Sequence, residues 1–211
     1  MPKKNHFSIW FAMIAAVMTL LLIAPHPTSA DCSADGALTD GDVVTCTTEQ
    51  DTTPQDAGDT DILETTQVGS GQDNVQVTVD EGVTIETNQE GIVVGENSIV
   101  VNNGTVQNSP GVDGIRVGDN SEVINNGTVQ GNKDDGIQAA GNSTTTNNGT
   151  ITGNGYAVFA NGTGGTIINN GSADANGQGL TGGHDITLTN NGTVDDNTYE
   201  GVGVGRADIT N

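Results

Sequence analysis

The 211 residues carry 27 acidic side chains against 5 basic ones, a formal net charge of −22. If the first 30 residues are a leader, the remainder keeps all 27 acids but only Arg116, Lys133 and Arg206, a charge of −24. Nucleic acid and anionic membrane are thereby excluded as partners, since both are polyanions held through basic patches. That remainder holds 31 Gly, 22 Asn and 27 Thr, with Tyr156, Phe159 and Tyr199 as its aromatics. A core built on large side chains is excluded too.

Residues 1–30 have the layout of a secretory signal peptide: Lys3 and Lys4, an apolar run from Ile9 to Ala24, then a polar exit with small residues at Thr28 and Ala30. The apolar run is shorter than the roughly 20 residues a spanning helix needs, so cleavage before Asp31 is favoured over an anchor. Export would place Cys32 and Cys46 in an oxidising compartment, where a disulfide between them is expected. The segment 31–74 has eleven acids and no base. It is either an N-terminal cap using Val43, Val44, Ile62 and Leu63 as edge strands, or an acidic leader without fixed structure.

From 75 to 211 the chain repeats. NNGT or NNGS begins at Asn102, Asn125, Asn147, Asn169 and Asn190, foreshadowed by DEGV at Asp80, with starts about 22 residues apart. Self-similarity at a fixed period marks stacked units, each too small to bury a core alone. Two glycine columns are expected at corners, Gly82, Gly104, Gly127, Gly149, Gly171 and Gly192 in one, and Gly91, Gly114, Gly136, Gly155, Gly179 and Gly201 in the other. Residues that are mostly small and aliphatic alternate beside both columns, Ile92, Ile115, Ile137, Tyr156, Leu180 and Val202 following the second directly. That period of two predicts about three short strands per unit.

Coiling such a unit so that each turn lies about 4.8 Å above the last pairs like strand with like strand, which is an all-β parallel β-helix. Asn102, Asn125, Asn147, Asn169 and Asn190 are expected to bond amide to amide as a ladder. A leucine-rich repeat is excluded by the scarcity of Leu, and hexapeptide and calcium-binding nonapeptide helices by period and motif.

The leader, the early Cys pair, the acidic Thr-rich lead-in and units such as SEVINNGTVQGNKDDGI resemble the passenger region of bacterial autotransporters, which are right-handed parallel β-helices. The resemblance implies a Gram-negative cell envelope, export machinery as a partner, and display at the cell surface by a C-terminal β-barrel. No strand series for such a barrel is present in these residues. ADITN at 207–211 matches the approach to another Asn pair, so the chain is expected to be a fragment ending inside a repeat.

Chemistry-bearing residues are few. Glu90, Asp113, Asp135, Asn154, Gln178 and Glu200 precede the second glycine column and would form a vertical file, an acidic edge solvated by water or holding Ca²⁺. Asp134 with Asp135, and Asp195 with Asp196, are paired carboxylates of the kind a glycoside hydrolase uses, with Arg116 and Lys133 as neighbouring cations. His184 lacks a partner motif and reads as a turn residue. The sequons at Asn103, Asn126, Asn142, Asn148, Asn161, Asn170 and Asn191 mostly follow from the repeated turn. No cofactor, metal or catalytic residue is expected. The sequence favours a secreted or surface-displayed, non-catalytic stalk or adhesin scaffold contacting a host glycan or protein, with a polysaccharide lyase or hydrolase as the alternative.

Overall fold

A computed structural model of the protein describes residues 30–32, 39–48, 68, 71–87, 90–108, 112–131, 134–153, 155–175, 177–195 and 200–210. Residues 1–29, Leu38, Ile62 and Leu63, and also Lys133, Asn154, Asp196, Tyr199 and Asn211, lie outside the described residues. The described chain is an all-β parallel solenoid with no helix, and none of it is a helix long and apolar enough to cross a membrane.

Three strands per coil stack into three ladders. The first runs through Val43–Thr48, Gln76–Val79, Ile99–Asn102, Glu122–Asn125, Thr144–Asn147 and Thr166–Asn169. The second runs through Thr84–Thr87, Thr105–Asn108, Thr128–Gly131, Thr150–Gly153, Ser172–Ala175 and Thr193–Asp195. The third runs through Ile92–Val94, Ile115–Val117, Ile137–Ala139 and Tyr156–Thr163. In the last coils Gln178–Asn190 and Glu200–Thr210 pass from the third ladder into the first without a break. Together with the strand Ala30–Cys32, the first and third ladders thus form one 13-stranded sheet, and the second is a separate 6-stranded sheet.

Every pairing among these ladders is parallel, and hydrogen-bonded side chains on successive coils are 23, 22 or 21 residues apart. Most of the short strands bury alternate residues, as the period of two requires. Identical positions then stack: Val77, Val100, Val123, Thr145, Ile167 and Leu188 in the first ladder, and Ile85, Val106, Val129, Ile151 and Ala173 in the second. Small aliphatic groups fill a narrow bore, so the near-absence of aromatics is no obstacle to a continuous core.

At the N-terminal end Val43–Thr48 pairs in parallel with Gln76–Val79, setting Cys46 over Val79 and hence over Asn102. The antiparallel strand Ala30–Cys32 covers the outer edge of Val43–Thr48, with Cys32 opposite Cys46. A disulfide joins the two cysteines. An antiparallel strand tied down covalently blocks a parallel edge that would otherwise accept another chain.

The glycine columns need correction at two places. Thr84 pairs with Thr105, so Val83 and not Gly82 lies below Gly104. Ile137 pairs with Val158, so Ala157 and not Gly155 lies above Gly136, and Val158 rather than Tyr156 continues the Ile92, Ile115, Ile137 file. The link from the first to the second ladder at Gly82, and from the second to the third at Gly155, differs in length from that of the neighbouring coil, which moves the glycine out of register. The reason for glycine also differs from the expected one. Gly104, Gly127, Gly149, Gly171 and Gly192 do not have positive φ. A Cβ on each from Gly127 onward would fall onto the carbonyl oxygen of the glycine one coil below. Close stacking of backbone on backbone, and not a left-handed turn, excludes side chains there.

Candidate ligand-facing surface on the third ladder

The outward residues of the third ladder are Val93, Arg116, Gln138, Phe159 and Thr181, stacked in register. Beside them, at the entrance to each strand, run Glu90, Asp113, Asp135, Tyr156 and Gln178, with Glu200 next in register. Tyr156 takes the place the sequence assigned to Asn154. Each coil therefore sets a pair of side chains three residues apart along this edge, Asp113 and Arg116, Asp135 and Gln138, Tyr156 and Phe159, Gln178 and Thr181, of which the two aspartates are buried. Successive pairs are one strand spacing, about 4.8 Å, apart.

Several of these pairs are joined. Gln138 Nε2 donates to Asp135 Oδ2 at 3.3 Å, and Thr181 Oγ1 donates to Gln178 Oε1 at 3.1 Å. The rings of Tyr156 and Phe159 are 4.8 Å apart between centroids and inclined by 31°, and both are half-buried. Arg116 reaches Glu90 one coil below, Nη1 to Oε1 at 3.8 Å, with its side chain 54% exposed.

Asp113 and Asp135 are 6% and 2% exposed, and each works as a corner brace. Asp135 N donates to Asp113 Oδ1 and Tyr156 N donates to Asp135 Oδ1, both at 3.1 Å. Burial raises the Asp113 carboxyl above the usual carboxylate range. Asp135 is pushed up to about 6, first by burial and then by the neighbouring charge of Asp113. Exposed Asp134 completes a group of three carboxylates whose oxygens lie within 4.8 Å of one another, the residues that could hold a cation. Asp195 lies elsewhere, on the second ladder above Asp174. Exposed His184 sits at the far end of the third ladder, between Thr163 and Arg206 in register. The two paired-carboxylate motifs and the histidine are thus not brought together.

The Asn ladder is continuous: the Nδ2 of Asn102, Asn125, Asn147 and Asn169 each donates to Oδ1 of the next, at 2.8 to 2.9 Å, ending on Asn190. A second ladder, not anticipated, runs beside it through half-buried Asn103 and exposed Asn126, Asn148, Asn170 and Asn191, and its amides donate toward the N-terminal end, each at 2.9 Å. The corner between the third and first ladders was missed altogether. There Asn74, Asn97, Asn120 and Asn142 have positive φ, and Ser98, Ser121 and Ser143 accept the backbone N–H of Val75, Ser98 and Ser121. The recurrent Asn-Ser pairs at 97, 120 and 142 carried that signal in the repeat phase. The same corner holds a second acidic file, in which Asp40, Asp73 and Asp119 accept the backbone N–H of Asp73, Glu96 and Gly141.

Comparison with protein-family models, with characterised proteins and with solved structures found no match to this chain.

Proposed function

We propose that this chain is part of an exported, surface-displayed β-solenoid of the autotransporter-passenger kind, acting as a non-catalytic scaffold that holds a contact surface away from the cell. The observation that carries the reading is the continuous parallel stacking of its three ladders, which makes a rigid rod from a chain with almost no bulky side chains. The Cys32–Cys46 disulfide fits a compartment outside the cytoplasm. The net charge of −22 supports solubility and suits neither nucleic acid nor anionic lipid. An adhesive role also agrees with the grouping of the aromatic pair and its polar neighbours on one outer face.

Protease treatment and antibody labelling of intact cells expressing the native gene test this reading. Digestion and labelling without lysis are the expected results, and a protein protected in the cytoplasm would overturn it. A second reading, hydrolysis or elimination on a polysaccharide, is favoured by one observation, the raised carboxyls of Asp113 and Asp135. Release of reducing or unsaturated ends from polysaccharides, abolished by Asp135→Asn, would replace the first reading with the second.

A further inference from the structure

We propose that Tyr156 and Phe159, with the polar pairs Asp135–Gln138 below and Gln178–Thr181 above, form a binding site for neutral pyranose units of a glycan. The inference deepens the surface-contact reading and rests on it for its biological setting.

Among the described residues these are the two aromatic side chains, and they lie together on an outer face. A packed core has no need of them, because aliphatic residues fill the bore on every coil. An aromatic ring face carries a negative quadrupole and attracts the polarised C–H face of a sugar ring. Hydroxyl groups at the edges of that sugar need donors and acceptors in fixed directions. Gln138 and Gln178 supply amides and Thr181 a hydroxyl, each one coil from the rings, while buried Asp135 holds Gln138 in place. Gln138 and Gln178 are already oriented by bonds to Asp135 and Thr181, which lowers the entropy cost of binding. Alternation of polar, aromatic and polar pairs along the axis suits a chain of repeating units better than a folded protein, whose stable interfaces need about 800 Å² per partner.

Charge selects the class of sugar. Glu90, Asp113, Asp134 and Asp135 are grouped here, and the neighbouring cation, Arg116, is shared with Glu90. A uronate, sialylated or sulfated unit would be repelled by exposed Asp134 and by the net charge of −22, so acidic glycans are selected against and uncharged ones are not.

The test is titration of the purified full chain with cello-, manno- and N-acetylglucosamine oligosaccharides and with oligogalacturonate, followed by ligand-observed NMR. Binding of at least one neutral oligomer is expected, weakened about tenfold or more by Tyr156→Ala or Phe159→Ala and retained in Phe159→Trp. Retention in Phe159→Trp, with unchanged melting, separates loss of the platform from loss of fold. Absence of binding to every neutral oligomer at millimolar concentration, preference for oligogalacturonate, or unchanged binding in both alanine variants would overturn the inference. Surface labelling of cells is independent of this titration. Display without sugar binding defeats the inference alone, and sugar binding without display defeats only the setting.

Discussion

Glycine does two separate jobs in this fold, and single substitutions distinguish them. Gly127 has ordinary φ, but a Cβ there would land on the Gly104 carbonyl oxygen. Gly82 has φ of +82° and open space around it. Gly127→Ala is therefore expected to cost at least about 3 kcal/mol, because backbone must move. Gly82→Ala should cost only the left-handed penalty of about 1–2 kcal/mol. Urea unfolding of the two variants measures the difference, and equal losses would contradict the stacking explanation. Thr145 presents the opposite case. It occupies the Val77, Val100, Val123, Ile167 column, 1% exposed, and its hydroxyl has no hydrogen-bond partner. Thr145→Val keeps the shape and removes a buried polar group, so a gain of about 1 kcal/mol is expected in the same assay.

At the scale of the repeating elements, the two Asn ladders look equivalent in sequence but differ in burial. Asn147 is buried: it accepts from Asn125 Nδ2 and Gly149 N, and it donates to Asn169 Oδ1 and Ser172 O. Asn147→Ala strands several of those groups away from water and should cost about 2–4 kcal/mol. Asn148→Ala interrupts the exposed ladder, where water replaces the lost partner, and should stay within about 0.5 kcal/mol. Thermal melts of both variants decide the matter. The buried ladder was legible because Asn at a fixed place within a strand period must either stack or go unsatisfied. Which of two adjacent Asn faces inward was legible only from the aliphatic residue two positions before it. The corner at Asn97, Asn120 and Asn142 was overlooked because its φ > 0 residues are Asn, while glycine drew attention to other corners. The slip at Gly155 has a related cause. A column that forbids a side chain through close approach tolerates Ala157 where the neighbouring coil leaves room, so composition alone cannot align it. Of the candidate surface, the acidic file was legible from the repeat, but the Tyr156–Phe159 pair was not, since it breaks the repeat at a single coil.

Over the whole molecule the acid excess opposes compaction, and the buried carboxyls make that opposition depend on pH. Asp135 is pushed up to about 6 when folded, while the unfolded chain has an ordinary carboxylate near 3.9. Below about pH 4 both states hold the proton and the group has no effect on stability. Between about 4 and 6 the unfolded state is ionised while the folded state retains the proton, so raising the pH draws the balance toward unfolding. Above 6 the full penalty of a buried charge is present. Asp113, raised for the same reason, acts in the same direction, as does self-repulsion across a chain of net charge −22. The protein is therefore expected to be more stable at pH 4.5 than at pH 7.5, the reverse of a protein whose carboxylates are salt-bridged. Self-repulsion is screened by 0.5 M NaCl, whereas the penalty on a buried group is not. Asp135→Asn keeps an acceptor for Tyr156 N and removes the charge. It should raise the urea midpoint at pH 7.5 in high salt and leave it nearly unchanged at pH 4. An equal gain at both pH values would show that packing, and not ionisation, limits the stability of this corner.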